Sequence, residues 1–144
     1  MLRNIPFHLK MENIKALIWE ACPERIDFIY LPLHNQHLGR NAGYAIVNFI
    51  TTNDLAQFYA IKNGHAWSGT AVADKVVEIV YAHCQGKTGL VHKFFVNPKH
   101  SIRHLPEEYR PCIFHSEGPL AGKPETIDEA VLKIVPGPDR PVSK

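Results

Sequence analysis

The stretch Asn41-Ala-Gly-Tyr-Ala-Ile-Val-Asn-Phe49 decides how this chain is read. A glycine leads into a run of aromatic, small and β-branched side chains, the composition of a strand entered through a turn. Side chains alternate across a strand, so Ala45, Val47 and Phe49 share one face and Tyr44, Ile46 and Asn48 the other. The first set suits burial under helices. The second begins with a tyrosine and ends with an amide, and its meaning depends on the elements around it.

Those elements follow from patterns on either side. Met1–Pro6 reads as a short strand ended by proline. Ile14, Leu17, Ile18 and Ala21 recur at helical spacing, and Pro23 stops that helix. Arg25–Leu31 is rich in β-branched and aromatic residues, a second strand that ends before Pro32. A polar, glycine-containing loop separates it from the third strand, Tyr44–Ile50. Thr51, three residues before Asp54, offers a capping box in which Asp replaces the usual Glu. The helix it opens carries Leu55, Phe58 and Tyr59 on one face and ends near Asn63–Gly64. Lys75–Ala82 is the fourth strand.

The order β-α-β-β-α-β predicts an α+β, ferredoxin-like split βαβ fold: a four-stranded antiparallel sheet with two helices on one face. The other face is left open. Leu90 and Phe94 stand at helical spacing and predict an extra C-terminal helix, although Gly89 costs it roughly 1 kcal/mol. Through Leu90, Val91 and Phe94 that helix could lie across the open face. Residues 1–96 are thus read as one domain with a helical extension, and residues 97–144 as a proline-containing extension, largely irregular. Its end, Pro136–Lys144, holds three prolines and is expected to be disordered.

Composition narrows the function. The formal net charge of +2 permits contact with a polyanion without arguing for it. Cys22, Cys84 and Cys112 are widely spaced and odd in number, which supports neither a disulfide framework nor a zinc ribbon. A reduced intracellular compartment, nuclear or cytoplasmic, is the simplest reading. No 18-residue apolar run and no secretory leader is visible. The chain opens inside a strand, as expected of a fragment or of a protein that has lost upstream sequence. His34 and His37 lack nearby partners for a metal, no nucleotide-binding or hydrolase motif occurs, and Cys112 has no recognisable base. Neither a cofactor nor an enzymatic activity is expected.

With this element order, the third strand resembles the octamer of the RNA recognition motif, K/R-G-F/Y-G/A-F-V-x-F/Y. Ala42–Phe49 fits six of its eight places. Ala42 replaces the basic residue and Ile46 the second stacking aromatic. Met1–Pro6 fits the partner hexamer, with Met1 at an aromatic place. The segments LRNIP, IDFIYLPL, GYAIVNFITTND, FYAIKNGHAW, KVVEIVYAHCQGK and EEYRPCIFHSEGP further resemble, in order and spacing, the C-terminal recognition motif of the Mei-two-like proteins, regulators of meiosis and development. That resemblance covers about residues 1–120 and implies single-stranded RNA binding without metal or catalysis. The family usually has Phe at Ile46 and Thr at Lys10; here a stacking platform and a helix cap are missing.

The resemblance and the alternation together nominate the contacts. Tyr44 is the first choice for base stacking, a contact worth ~1–3 kcal/mol per base. Met1, Ile46 and Val80 would share its face. Arg3 would stack on a base or bind phosphate, and Asn48 would bond a base edge. On strand two, Ile26, Phe28 and Tyr30 share one side by alternation, and Phe28 and Tyr30 are placed on the RNA side. Arg40, in the loop between strands two and three, could clamp phosphates. His83 and Lys87 follow strand four, where chain ends meet RNA. Single-stranded RNA is the expected partner of a monomer. The competing expectation is a protein-interaction module of the same fold, its apolar sheet covered by the third helix or by a protein partner.

Overall fold

A computed structural model describes residues 1–34, 39–67, 75–81, 86–97 and 105–134. The described elements are β1 (Leu2–Arg3), α1 (Met11–Ala21), β2 (Ile26–Tyr30), β3 (Tyr44–Phe49), α2 (Thr52–Lys62), β4 (Glu78–Ile79), α3 (Lys87–Val91), β5 (Cys112–Ile113) and α4 (Ile127–Ile134). A π-helical turn over His92–Val96 continues α3. The strands form one antiparallel sheet in the order β4-β1-β3-β2-β5. The first four carry the expected split βαβ connectivity, and β5 adds a fifth strand alongside β2.

Alternation along β3 sets the two layers. Ala45 is fully buried in a core that joins Leu2, Ile29 and Leu31 of the strand side to Ile14, Leu17 and Ile18 of α1 and Phe58 of α2, with Val47 and Phe49 packed against it. The expected stripe of α1 is buried throughout. On α2 only Phe58 is buried, whereas Tyr59 is half exposed. The Thr51 hydroxyl accepts from the Asp54 amide at 3.1 Å and the Asp54 carboxylate accepts from the Thr51 amide at 3.0 Å, the reciprocal cap read from the sequence. At the start of α1, Lys10 has no oxygen to offer; instead its own N–H donates to Asn13 Oδ1 at 2.8 Å.

Three departures bear on the site. The pairing of β2 with β3 shifts register between Ile26 and Phe28. A bulge of this kind rotates the residues before it to the opposite face, so Ile26 joins Ile29 and Leu31 in the helix-side core rather than sharing a side with Phe28 and Tyr30. Strand β1 is only two residues long because Asn4, at φ +65°, turns the chain away from the sheet, a conformation Asn tolerates better than most residues. Strand β4 pairs only over Glu78–Ile79; Ala82 lies outside the described residues.

The second layer covers part of the sheet's other face. Leu90, Val91, Phe94 and Phe95 of α3 and its continuation pack on Phe28 and Tyr30 of β2, with Ile113 of β5 and Ala130 of α4 completing the cluster. The stretch after residue 97 thus supplies a strand and an eight-residue helix where an irregular segment was expected. The last stretch, 136–144, lies outside the described residues. Among the described residues no helix is long and apolar enough to cross a membrane.

Candidate functional site

The uncovered half of the face, over β1 and β3, is a groove of about 600 Å³. Its floor and walls include Met1, Arg3, Phe7, Tyr44 and Ile46, and two further cations, Lys75 and Lys93, reach it from other elements. Tyr44 opens β3 directly across from Arg3 and is 37% exposed. Arg3 lies 3.6 Å from Glu78 on the neighbouring strand, both about half exposed. A pair so placed is worth little, so water or an anion can replace it. Phe7 is 46% exposed, and the Lys75 ammonium stands 4.5 Å from its ring centroid.

The loops that shape this groove are tied to the opening stretch of β3. Asn41 is buried and its side-chain amide donates to the carbonyls of Pro6 (2.9 Å) and Leu9 (2.8 Å), while its Oδ1 accepts from the Gly43 amide (2.7 Å). Its backbone N–H donates to the Phe7 carbonyl at 3.0 Å. Gly43 has φ +91°, a left-handed conformation that side-chain-bearing residues avoid. A Cβ on Gly43 would lie 3.4 Å from Phe7 Cε1, so the glycine backbone forms the bed on which the Phe7 ring rests.

Of the nominated residues, Met1, Arg3, Tyr44 and Ile46 meet at the groove; Ile46 is half buried because it also packs on the second core. Val80 is half buried and exchanges backbone hydrogen bonds with Met1, donating at 2.9 Å and accepting at 2.6 Å. Phe28 and Tyr30 do lie on this face, yet α3 covers them: Phe28 has no exposed surface and Tyr30 only 8%. Neither can stack on a ligand while the helix is in place. Arg40 is exposed but does not line the groove. His83 and His37 lie outside the described residues.

Asn48 is committed elsewhere. Its amide donates to Asp27 Oδ1 at 2.8 Å and its Oδ1 accepts from the Gly86 amide at 3.2 Å, fastening the N-terminus of α3 to the sheet. Ser116 donates to the other Asp27 oxygen at 2.9 Å. Burial pushes the Asp27 carboxyl above its ordinary range, and the hydrogen bonds from Asn48 and Ser116 offset this only in part.

Lys87 is equally removed from the groove. Its ammonium donates to the Phe114 carbonyl at 2.7 Å and lies 2.9 Å from Glu125 Oε1. Glu125 has a fully buried side chain and also meets Lys133 of α4 at 2.6 Å and His115 Nδ1 at 2.9 Å. Burial alone would push this carboxyl up, but hydrogen bonds and charge from Lys133 and Lys87 outweigh it and hold it below the usual range. The cluster therefore clamps α3, α4 and the strand β5 region together.

Phe7, Lys75 and Lys93 were not anticipated from the sequence. Phe7 follows a proline in a stretch with no periodicity, and the two lysines come from segments far apart in the chain. Tyr81, 86% exposed just past β4, is a further aromatic that the strand pattern does not single out.

The comparisons with known proteins agree with this architecture. The chain matches the family model RNA recognition motif 2 over residues 1–95. It is 34% identical over 125 residues to Protein MEI2-like 1 of Arabidopsis thaliana, covering 87% of this chain and 13% of that protein. It is 34% identical to Protein MEI2-like 2 of Oryza sativa subsp. japonica, covering 87% and 14%. With Meiosis protein mei2 of Schizosaccharomyces pombe the identity is 31%, covering 87% and 16%. The chain thus spans about an eighth to a sixth of the length of these relatives. Its sheet order, its third strand and these matches make the chain a member of the RNA recognition motif 2 family, of the Mei2-like type.

Proposed function

We propose that this chain binds single-stranded RNA in the groove over β1 and β3. Tyr44 stacks a base, and Arg3, Lys75 and Lys93 neutralise the phosphates on either side. The observation that carries this reading is the coincidence of an exposed sheet tyrosine with three cations around one groove, while α3 closes the β2 half of the face. Base–aromatic stacking needs a ring face that water can leave, and the surrounding cations supply the sequence-independent part of the affinity. A single strand suits the site because an unpaired base can turn its face onto the ring, whereas a duplex keeps its bases stacked inside. No chemistry on the RNA is part of this reading. By similarity to relatives named for meiosis, the binding serves post-transcriptional regulation by a nuclear or cytoplasmic protein.

A second reading, a protein-interaction module, has one observation in its favour: α3 already occupies the β2 half of the face. Titration separates the two. A labelled random 10-nucleotide RNA is added to the chain at two salt concentrations, alongside a duplex of the same length. The RNA reading expects binding to the single strand that weakens steeply with salt, and loss of affinity in Tyr44→Ala. Salt-independent or absent binding sinks it.

A further inference from the structure

We infer that Phe7, in the loop after β1, is a second base platform, and that the groove seats one nucleotide of single-stranded RNA between Tyr44 and Phe7. This deepens the RNA reading above and rests on it. The sheet itself has lost the platforms expected of it: Met1 and Ile46 stand where aromatics would stack, and α3 covers Phe28 and Tyr30. What remains exposed and aromatic in the groove is Tyr44 on β3 and Phe7 beside it.

The position of Phe7 is built rather than incidental. Ile5 and Pro6, just before it, are buried, and Leu9, just after it, is buried as well. The Phe7 carbonyl is held by the Asn41 amide, the carbonyls of Pro6 and Leu9 by the Asn41 side chain, and the Ile5 amide by the Gly43 carbonyl. The loop is therefore fixed on both sides of a phenyl ring that is nonetheless nearly half exposed. A rigid loop that presents a ring to solvent has already lost the freedom that a ligand would otherwise have to restrain. Gly43 completes the arrangement. Its missing side chain lets the ring edge lie against the backbone immediately before Tyr44.

Charge fits the same occupant. The Lys75 ammonium lies over the Phe7 ring, 4.5 Å from its centroid, so it occupies one face and stands within reach of the phosphate of a base stacked on the other. Arg3 stands on the Tyr44 side, across β1 from β3. An apolar protein segment would offer the three cations no anion beyond the exposed Arg3–Glu78 pair, whereas a nucleotide supplies both the flat apolar face and the phosphate.

The test compares wild type, Tyr44→Ala, Phe7→Leu and Phe7→Trp by fluorescence anisotropy with a labelled random 10-nucleotide RNA, with thermal melting of each. Loss of one stacked base corresponds to about five-fold or more in affinity. Phe7→Leu keeps the apolar bulk and removes the ring, so affinity should fall by that factor at an unchanged melting temperature, and Phe7→Trp should keep it. The added indole of Phe7→Trp should also be quenched as RNA fills the groove. If wild type does not bind RNA, the RNA reading falls and this inference with it. If wild type binds and Tyr44→Ala weakens it, but Phe7→Leu binds as wild type or Phe7→Trp shows no quenching on binding, the Phe7 platform alone is wrong.

Discussion

The ring of Phe94 lies stacked over that of Phe28, centroids 6.1 Å apart and planes 22° from parallel, and meets the edge of Tyr30 at 5.0 Å. The helix extension thus occupies, with its own aromatic ring, the place on β2 where a base would stack. This divides the sheet into a closed half that contributes stability and an open half that is free to bind.

That division predicts opposite effects of one substitution on the two properties. Phe94→Ala should cost about 3 kcal/mol of stability, at the low end for removing a buried phenylalanine, read as a lower denaturant midpoint. RNA affinity should not fall under conditions where the variant is folded. The Lys93 charge is kept, though it loses the Phe94 ring beneath its ammonium, and Phe28 and Tyr30 become accessible. A variant that folds but loses RNA would mean that the closed half is part of the binding surface.

The salt dependence of RNA binding should report the groove's cations. For single strands log affinity falls with log salt with a slope of about −0.7 per phosphate neutralised, so three cations give a slope of about −2. Lys75→Ala or Lys93→Ala should each flatten that slope by about 0.7. Lys62, paired with Glu20 at 2.6 Å on the helix side of the sheet, is the control whose removal leaves the slope as it was. A slope that Lys62→Ala changes as much as Lys75→Ala would place the RNA elsewhere.

Asn41 should matter to binding although it touches no ligand. Asn41→Ala strands the Leu9 carbonyl and the Gly43 amide, while the Pro6 carbonyl keeps the Leu9 N–H. Leaving buried polar groups unpaired costs about 1–3 kcal/mol each, partly relieved by entering water. A loss of about 3 kcal/mol in stability is expected, with a drop in RNA affinity because the Phe7 loop is no longer fixed. Affinity unchanged in the folded variant would show that loop order is irrelevant to the site.

The split βαβ order could be read from the sequence because each element carried a local signal: the stripe Ile14, Leu17, Ile18, Ala21, the cap at Thr51, and alternation from Tyr44 to Phe49. The site was only half legible. Tyr44, Arg3 and Ile46 sit on strands and Met1 immediately precedes one, so alternation fixes the face. Phe7, Lys75 and Lys93 converge through tertiary structure, which no local pattern encodes. Asn48 and Lys87 were assigned to RNA because an exposed polar residue and a partnered one look alike in sequence. Their partners, Asp27, Gly86, Phe114 and Glu125, are 21 to 38 residues away. The helix α4 is different, since its signals are local ones. Ile127, Ala130, Val131 and Ile134 form an apolar stripe, and Thr126 accepts from the Glu129 amide at 3.1 Å as an N-cap. The surrounding prolines concealed it.

The clamp at Glu125 makes stability depend on pH with a definite sign. Its carboxyl titrates below the ordinary range when folded, so its contribution is fully present above the unfolded value and is lost as pH falls through the folded one. Asp27, raised by burial, works the other way: ionising it costs the folded state, so its contribution is lost as pH rises through its folded value. The two oppose each other in the whole protein, and a difference measurement isolates Glu125. Glu125→Gln should cost about 3 kcal/mol at neutral pH, since it leaves Lys87 with a neutral partner inside the clamp. As pH is lowered below the ordinary carboxylate range, wild type loses its advantage while the amide variant does not. The stability gap between them, measured by denaturant titration at a series of pH values, should therefore close on acidification, with Asp27 cancelling in the difference. A gap that stays constant to low pH would mean that the Glu125 charge does not hold α3 and α4 together.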